Sequence, residues 1–170
     1  DGALLSRLGG SRTGVDISAV RLSRASAPGA RLVVGDVATW GEPEAADVVL
    51  CTEVIEHLPE PERLLANICR ILTPDGVALV GTLNDPLGMY CDGVEHLTAY
   101  GADLLEEQAA AAGLEVIARD STVPGIYGPG GLLATPERLA DWQGRAAAGG
   151  WAYAEGSNLF VLLRRKGAGR

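Results

Sequence analysis

Apolar residues in the first half of this chain fall into consecutive runs rather than into strict polar–apolar alternation. Each run contains β-branched residues and is bounded by residues that favour turns, which predicts short strands. Since a run that is apolar on both faces is typical of a fully buried strand, the pattern indicates a parallel sheet covered by helices. The predicted strands are Arg12–Asp16, Arg31–Gly35, Asp47–Thr52 and Val77–Leu83.

Helical patterns lie between these strands, and local signals mark their ends. Ser18 is a predicted N-cap, Pro61 suits the first turn of a helix, and the Thr-Pro-Asp-Gly run at 73–76 predicts a stop followed by a turn. The alternation favours an α/β, Rossmann-like, doubly wound and mostly parallel sheet. The predicted helices are Ala3–Leu8, Ser18–Ala27, Glu60–Leu72 and Ala102–Ala112.

The last third of the chain adds two strand candidates, Leu114–Arg119 and Asn158–Arg164. A Pro- and Gly-rich stretch, Pro124–Pro136, and a predicted helix, Pro136–Ala148, separate them. This connection is longer than a plain one needs, so we interpret Pro124–Gly156 as a substrate-side insertion within a single domain, 1–170.

Composition narrows the classes of function. The chain has 170 residues, 47% of them hydrophobic and 21% charged, which is enough for one domain with a sizeable core. The formal net charge of −8 argues against broad electrostatic binding to nucleic acid or to an anionic membrane. No apolar run approaches the ~18 residues of a membrane span. The three cysteines lack the spacing of a metal knuckle or a disulfide framework, which favours reduced thiols and a cytoplasmic protein.

Ligands of open α/β sheets bind at the carboxyl ends of the strands, so the residues there are the first candidates for a site. Asp16 ends the first predicted strand and can accept hydrogen bonds from ribose hydroxyls; an acid that caps the next helix beside Ser18 is the alternative. Asp36 follows the second strand, where its carboxylate suits an adenine amine and the Val37 N–H suits a ring nitrogen. A solvated turn aspartate is the alternative there.

The third predicted strand runs directly into a Glu-x-x-Glu-His cluster. On a helical turn positions i, i+3 and i+4 share a face, so Glu53, Glu56 and His57 can converge. His96, the second of only two histidines, follows the next predicted strand at the same edge of the sheet. Because imidazole titrates near neutrality, both histidines are candidate bases. The alternative is that the cluster only caps and solvates the following helix.

Several short motifs, in this order and spacing, resemble those of the class I S-adenosylmethionine-dependent methyltransferases. Within this family, the motifs most resemble those of the quinone-biosynthesis and small-molecule O-methyltransferase type, whose fold ends in an antiparallel strand. The likeness runs from residue 1 to about Val116 and returns at 157–160. The motifs are Gly-Val-Asp-Ile-Ser at 14–18, Gly-Asp at 35–36, Glu-Val-Ile-Glu-His-Leu-Pro at 53–59, Leu-Thr-Pro-Asp-Gly at 72–76 and Thr-Leu-Asn at 82–84.

The resemblance implies S-adenosyl-L-methionine as the cofactor. Asp1 and Gly2 would end a glycine-rich loop beside its methionine part. A first strand and earlier glycines would then precede Asp1, so that the domain is N-terminally incomplete here and part of a longer polypeptide. The other implied cofactor contacts are Asp16 with the ribose, Ile17 with the adenine face, Asp36 and Val37 with the adenine edge, and Cys51 and Thr52 near the sulfonium.

The resemblance also suggests a site for a divalent metal ion. Some relatives hold a divalent ion with a Glu-x-x-Glu-His cluster and a later histidine; the corresponding residues here are Glu53, Glu56, His57 and His96. Mg²⁺ or a similar ion would act as Lewis acid and template. The expected catalytic residues are His57, His96 and Glu53, the last by orienting the acceptor or the cofactor.

The expected function is methyl transfer from S-adenosylmethionine to an oxygen of a small phenolic, quinol or natural-product acceptor in biosynthesis. An N- or C-methyltransferase, a metal-dependent RNA 2′-O-methyltransferase and a non-catalytic partner subunit stay open. The acidic charge disfavours RNA, and no nucleic-acid partner is expected. A dehydrogenase that uses NAD would leave the Glu-x-x-Glu-His cluster unexplained. Homo-oligomerisation stays open.

Overall fold

The computed structural model describes residues 5–122, 127–128, 131–132, 137, 140–141, 144–145, 148 and 152–167. Strands β1, Thr13–Asp16, and β2, Arg31–Val34, pair in parallel. Helix α1, Ala19–Arg24, connects them, and its N-cap Ser18 accepts a hydrogen bond from a backbone N–H of the first turn. The predicted cap is therefore confirmed, although the helix is shorter than predicted.

Four strands form the central sheet, in the order β3–β4–β8–β5. β3 and β4 are parallel, and β8 runs antiparallel to β4 on one side and to β5 on the other. The predicted mostly parallel α/β sheet with an antiparallel C-terminal strand is confirmed. The bounds are Ala46–Thr52 for β3, Leu72–Leu83 for β4, Leu114–Ser121 for β5 and Asn158–Arg165 for β8.

β4 begins at Leu72, well before the predicted Val77. The Thr-Pro-Asp-Gly run lies inside the strand, where the pairing with β3 shifts register. Gly76 fits this point because a Cβ there would lie 2.8 Å from the Ala46 carbonyl oxygen. The predicted helix stop is confirmed, because the preceding helix ends at Ile71, whereas the predicted turn at 73–76 is an irregular part of β4.

Two helices bury one face of the central sheet. Helix α2, Pro61–Ile71, follows β3, and helix α3, Ala102–Ala111, precedes β5. Their apolar stripes face the strands and exclude water from one continuous core, which fixes the carboxyl ends of β3 and β4 in place. The fully buried core side chains include Ile55, Leu65, Ile68, Leu72, Val80, Leu105, Leu114, Leu159, Val161 and Leu163.

Parts of the predicted structure lie outside the described residues. Of Ala3–Leu8, the described part makes one turn, in which the Leu8 N–H bonds to the Leu5 carbonyl. Of Pro136–Ala148, residues 137, 140–141 and 144–145 are helical. Within the interpreted insertion, β6, Tyr127–Gly128, and β7, Gly131–Leu132, form a short antiparallel pair.

Neither β1 nor β3 pairs with a described strand on its second side. The expectation that a further strand precedes Asp1, and the single-domain organisation, stay predictions. Among the described residues, no helix combines the length and apolarity needed to cross a bilayer.

Candidate active site

The carboxyl ends of β3 and β4 carry the Glu-x-x-Glu-His cluster. Glu53 follows β3 with a φ of 54°, a left-handed conformation that is uncommon outside glycine and clusters at functional sites. Its N–H bonds to the Gly81 carbonyl, which ties the turn to β4. The chain then forms one 3₁₀ turn, Ile55–His57. Of the cluster, Glu56 and His57 therefore lie on a helical turn and Glu53 precedes it; the turn comes ahead of α2 and does not cap it.

Glu56 is a buried carboxylate with one oxygen satisfied and one not. The side chain is 2% exposed, and Oε2 accepts a 2.9 Å hydrogen bond from the Thr82 hydroxyl at the end of β4. Oε1 has no hydrogen-bond partner among the described residues and lies 3.8 Å from His57 Nε2. Because an unpaired buried carboxylate oxygen is costly, this atom marks a position that suits a cation or a proton donor.

The two imidazoles are oriented by backbone carbonyls. His57 Nδ1 lies 2.6 Å from the Glu95 carbonyl oxygen, and His96 Nδ1 lies 3.0 Å from that of Tyr90. Since a carbonyl only accepts, each Nδ1 carries the proton and each Nε2 keeps a free lone pair. The ring centroids are 4.9 Å apart. Ligand atoms of Glu56, His57 and His96 all lie within 4.8 Å of one another.

The loop between β4 and α3 brings His96 to this cluster, and two aspartates hold it. The Asp85 carboxylate accepts bonds of 2.7 Å from the N–H groups of Met89 and Tyr90. The Asp92 carboxylate accepts from three N–H groups, including that of His96, and these bonds hold its pKa below the usual range. The loop also docks on the 3₁₀ turn, because the Glu56 carbonyl accepts from the N–H groups of residues 97 and 98.

Asp92→Ala should therefore loosen the turn that carries His96. We expect amide hydrogen exchange at residues 94–96 to accelerate about tenfold or more, because three N–H groups lose their acceptor. Asp92→Asn keeps a side-chain acceptor and should show a smaller change. The measurement is exchange followed by mass spectrometry or NMR; unchanged protection in the alanine variant would contradict the role given to Asp92.

Glu53 lies beside the group formed by Glu56, His57 and His96. Its Oε1 accepts a 3.0 Å bond from the Asn158 amide on β8, and Asn158 Oδ1 in turn accepts from the Thr122 hydroxyl. Burial, and next the charge of Glu56, raise the pKa of Glu53. The metal-ligand grouping thus contains three of the four predicted ligands, Glu56, His57 and His96, and Glu53 is held next to it.

The predicted cofactor residues lie at the carboxyl ends of β1 and β2. Asp16 Oδ1 accepts a 2.7 Å bond from the Ser18 N–H, and Asp36 Oδ1 accepts a 2.8 Å bond from that of Ala38. Both carboxylates therefore stabilise local turns, as the alternative interpretations expected, and each keeps a second oxygen for a ligand. Ile17 is 77% exposed, a large apolar side chain without protein cover.

Cys51 and Thr52 end β3, next to the cluster. Burial, and next the charge of Glu56, raise the pKa of the Cys51 thiol to about 12, so it can line a pocket but does not act as a thiolate. Val37 packs at the edge of the core. The predicted contacts Asp1 and Gly2 fall outside the described residues, and all of these cofactor contacts stay predictions.

Three residues at this site were given no role from the sequence. Thr82 and Asn158 bond to carboxylates that lie 26 and 105 positions away along the chain, so no local spacing announces them. Asp92 is different, because the Asp-Gly pair at 92–93 is a turn signal directly ahead of His96.

Sequence comparison adds to this geometry. Residues 2–80 match a family described as a methyltransferase domain. A ubiquinone biosynthesis O-methyltransferase of Cupriavidus pinatubonensis is 30% identical over 94 residues, covering 51% of this chain and 38% of that protein. The chain thus aligns with well under half the length of this curated relative.

Solved structures share the fold. A TehB-like S-adenosylmethionine-dependent methyltransferase of Corynebacterium glutamicum superposes with a TM-score of 0.63 at 22% identity, covering 97% of this chain and 73% of that one. The 1,6-didemethyltoxoflavin-N1-methyltransferase of Burkholderia thailandensis, solved with bound 1,6-didemethyltoxoflavin and S-adenosylhomocysteine, gives a TM-score of 0.55 at 18% identity, covering 90% of this chain and 60% of that one. At these identities the likeness concerns the fold, and the reaction has to be argued from the site.

Proposed function

We propose that this chain is a class I S-adenosylmethionine-dependent methyltransferase, as its motifs predict, and that it methylates an oxygen of a small phenolic, quinol or natural-product acceptor. The observation that carries the proposal is the convergence of Glu56, His57 and His96 at the carboxyl edge of the sheet. Two imidazoles with free Nε2 lone pairs suit a reaction that must remove a hydroxyl proton. The name of the Cupriavidus relative supports oxygen as the acceptor atom.

The residues at the ends of β1 and β2 fit the cofactor. Asp16 uses one oxygen for Ser18 and has the other for the ribose hydroxyls, while the exposed side chain of Ile17 offers an apolar face to adenine. Asp36 likewise has one oxygen for the adenine amine. S-adenosylmethionine supplies an electrophilic methyl group on a sulfonium, which is already a good leaving group, so alignment and proton removal remain for the protein.

When no ion is bound, proton removal falls to the histidines. An acceptor hydroxyl gives its proton to Nε2 of His57 or His96, its oxygen forms the new bond to the methyl carbon, and the carbon–sulfur bond breaks with its electron pair left on sulfur. The Nδ1 bonds to backbone carbonyls keep the rings in place, with Nε2 turned away from those carbonyls.

The same three side chains fit a divalent ion. A carboxylate oxygen without a partner and two Nε2 lone pairs form a mixed set that suits Mg, Mn, Fe, Co or Zn, with Glu53 beside it. When bound, such an ion would lower the pKa of the acceptor hydroxyl and fix its orientation. We include this metal in the proposal; its ligands would be Glu56, His57 and His96. With the ion bound, the two Nε2 atoms would be its ligands and would not act as bases.

The loop that carries His96 supports an apolar acceptor. Leu87, Met89 and Val94 are 83%, 65% and 82% exposed, unusual values for large apolar side chains. The bonds to Asp85 and Asp92 fix the backbone that presents them. An aromatic or lipophilic acceptor could cover these side chains while its hydroxyl reaches the histidines.

Two measurements test the proposal. Calorimetric titration with S-adenosylmethionine should show binding, and absence of binding would favour a non-catalytic partner subunit.

Methylation of a catechol panel before and after treatment with a chelator then tests the metal: we expect activity to fall at least about tenfold and to return when Mg²⁺ or Mn²⁺ is restored. Full activity after metal removal would leave the two histidines as the bases and remove the metal from the mechanism.

A further inference from the structure

Thr82 is a buried residue that bonds to the site but takes no part in cofactor binding or proton removal. It lies at the carboxyl end of β4, is fully buried, and belongs to a strand paired on both sides, by β3 and by β8. Its position is therefore rigid. Its hydroxyl donates to Glu56 Oε2 at 2.9 Å.

This bond determines where the other carboxylate oxygen points. A carboxylate is planar, so holding Oε2 on the Thr82 hydroxyl leaves little freedom for Oε1. The backbone of Glu56 is held as well, since its carbonyl accepts the N–H groups of Leu97 and Thr98. Oε1 then lies 3.8 Å from His57 Nε2, buried and without a hydrogen-bond partner among the described residues.

We infer that Thr82 is the positioning residue of this site: its hydroxyl aims Glu56 Oε1 towards His57 Nε2, so that Glu56, His57 and His96 present one preformed site for a divalent cation. The inference rests on the proposed function. Groups that orient ligands from behind commonly change metal affinity by about 10–100-fold when removed.

The competing explanation is that Thr82 only satisfies a buried carboxylate. In that case its loss would lower stability without changing cation affinity. Thr82→Val keeps the shape and removes the donor, whereas Thr82→Ser keeps the donor. Thr73 provides a matched control, because it lies at the opposite end of the same strand and its hydroxyl also donates to a carboxylate, Asp47 Oδ1, at 3.1 Å.

The test is calorimetric titration of the intact chain with Co²⁺, accompanied by its visible absorption, after circular dichroism has shown each variant to be folded. Co²⁺ binds imidazole and carboxylate sites more tightly than Mn²⁺. We expect Thr82→Val to weaken affinity by about 10–100-fold and to alter the absorption spectrum. Thr82→Ser should stay within about threefold of the unmodified chain, and Thr73→Val should be unchanged. If valine prevents folding, Thr82→Ala removes the same donor and must show the same weakening.

The outcomes separate the two claims. If the unmodified chain binds Co²⁺ and Thr82→Val binds it equally well, the positioning role is wrong and the proposed metal site stands. If the unmodified chain does not bind Co²⁺ at all, the metal part of the proposed function is wrong and this inference is wrong with it. Equal weakening by Thr73→Val would also overturn the inference, because the effect would then be general to the strand.

Discussion

Replacing His96 with alanine is expected to lower kcat by about 10²–10⁴-fold, and replacing His57 is expected to do the same, because each removes an Nε2 lone pair that binds the ion or, without an ion, accepts the hydroxyl proton. The affinity for S-adenosylmethionine should stay within about twofold, since the predicted ribose and adenine contacts lie at the ends of β1 and β2. Steady-state kinetics with a catechol acceptor and calorimetry with the cofactor measure the two quantities separately.

The double variant gives the internal control. Residues that act as one unit are non-additive, so His57→Ala with His96→Ala should lose little more activity than either change alone. Melting curves should show that all three variants are folded. If both single variants keep more than about half of the unmodified kcat, neither histidine takes part in the chemistry.

Replacing Asp16 with alanine is the second change with a large expected effect. A hydrogen bond to a charged acceptor contributes about 1.5–3 kcal/mol, so loss of the ribose contact should raise the Kd for S-adenosylmethionine by about 10–100-fold. Asp16→Asn retains one carbonyl acceptor, so its Kd should lie between those of the unmodified chain and of Asp16→Ala. Part of the loss would come through the turn, because Asp16 Oδ1 also holds the Ser18 N–H.

Asp75→Ala serves as the control for this change. Asp75 is an exposed aspartate near the amino end of β4, at the opposite end of that strand from Thr82. The Asp75→Ala substitution removes one negative charge without changing a predicted site residue, so its Kd for S-adenosylmethionine should equal that of the unmodified chain. Equal Kd values for Asp16→Ala and Asp75→Ala would contradict the assignment of Asp16 to the ribose.

Those features of the fold that depend on local sequence could be predicted. The strands of the central sheet are consecutive apolar runs, and Ser18 announces the start of α1 by its own side chain. Asp16, Glu53 and His57 could be located because they follow strands, and strand ends meet at one edge of a parallel sheet. The start of β4 could not, because the irregularity at Gly76 depends on its contact with Ala46 across the sheet.

The support behind the site is non-local, so the sequence could not assign these residues their roles. Thr82 meets Glu56 only because β4 lies beside β3, and Asn158 meets Glu53 only because the antiparallel β8 ends at the same edge. The sequence likewise could not show that Glu53 stands beside the metal-ligand grouping instead of inside it. Helical spacing places side chains on one face, but the hydrogen bonds to other strands decide where each carboxylate points.

The most direct test of the central claim follows the methyl group itself. The protein is incubated with S-adenosylmethionine carrying a ¹³C-labelled methyl group and with a catechol that also bears an aliphatic amine, and the product is analysed by NMR. We predict one new labelled methyl signal at the chemical shift of an aryl ether, absent when His57 and His96 are both alanine. A labelled methyl on nitrogen or carbon, or no transfer by a protein that binds the cofactor, would contradict it.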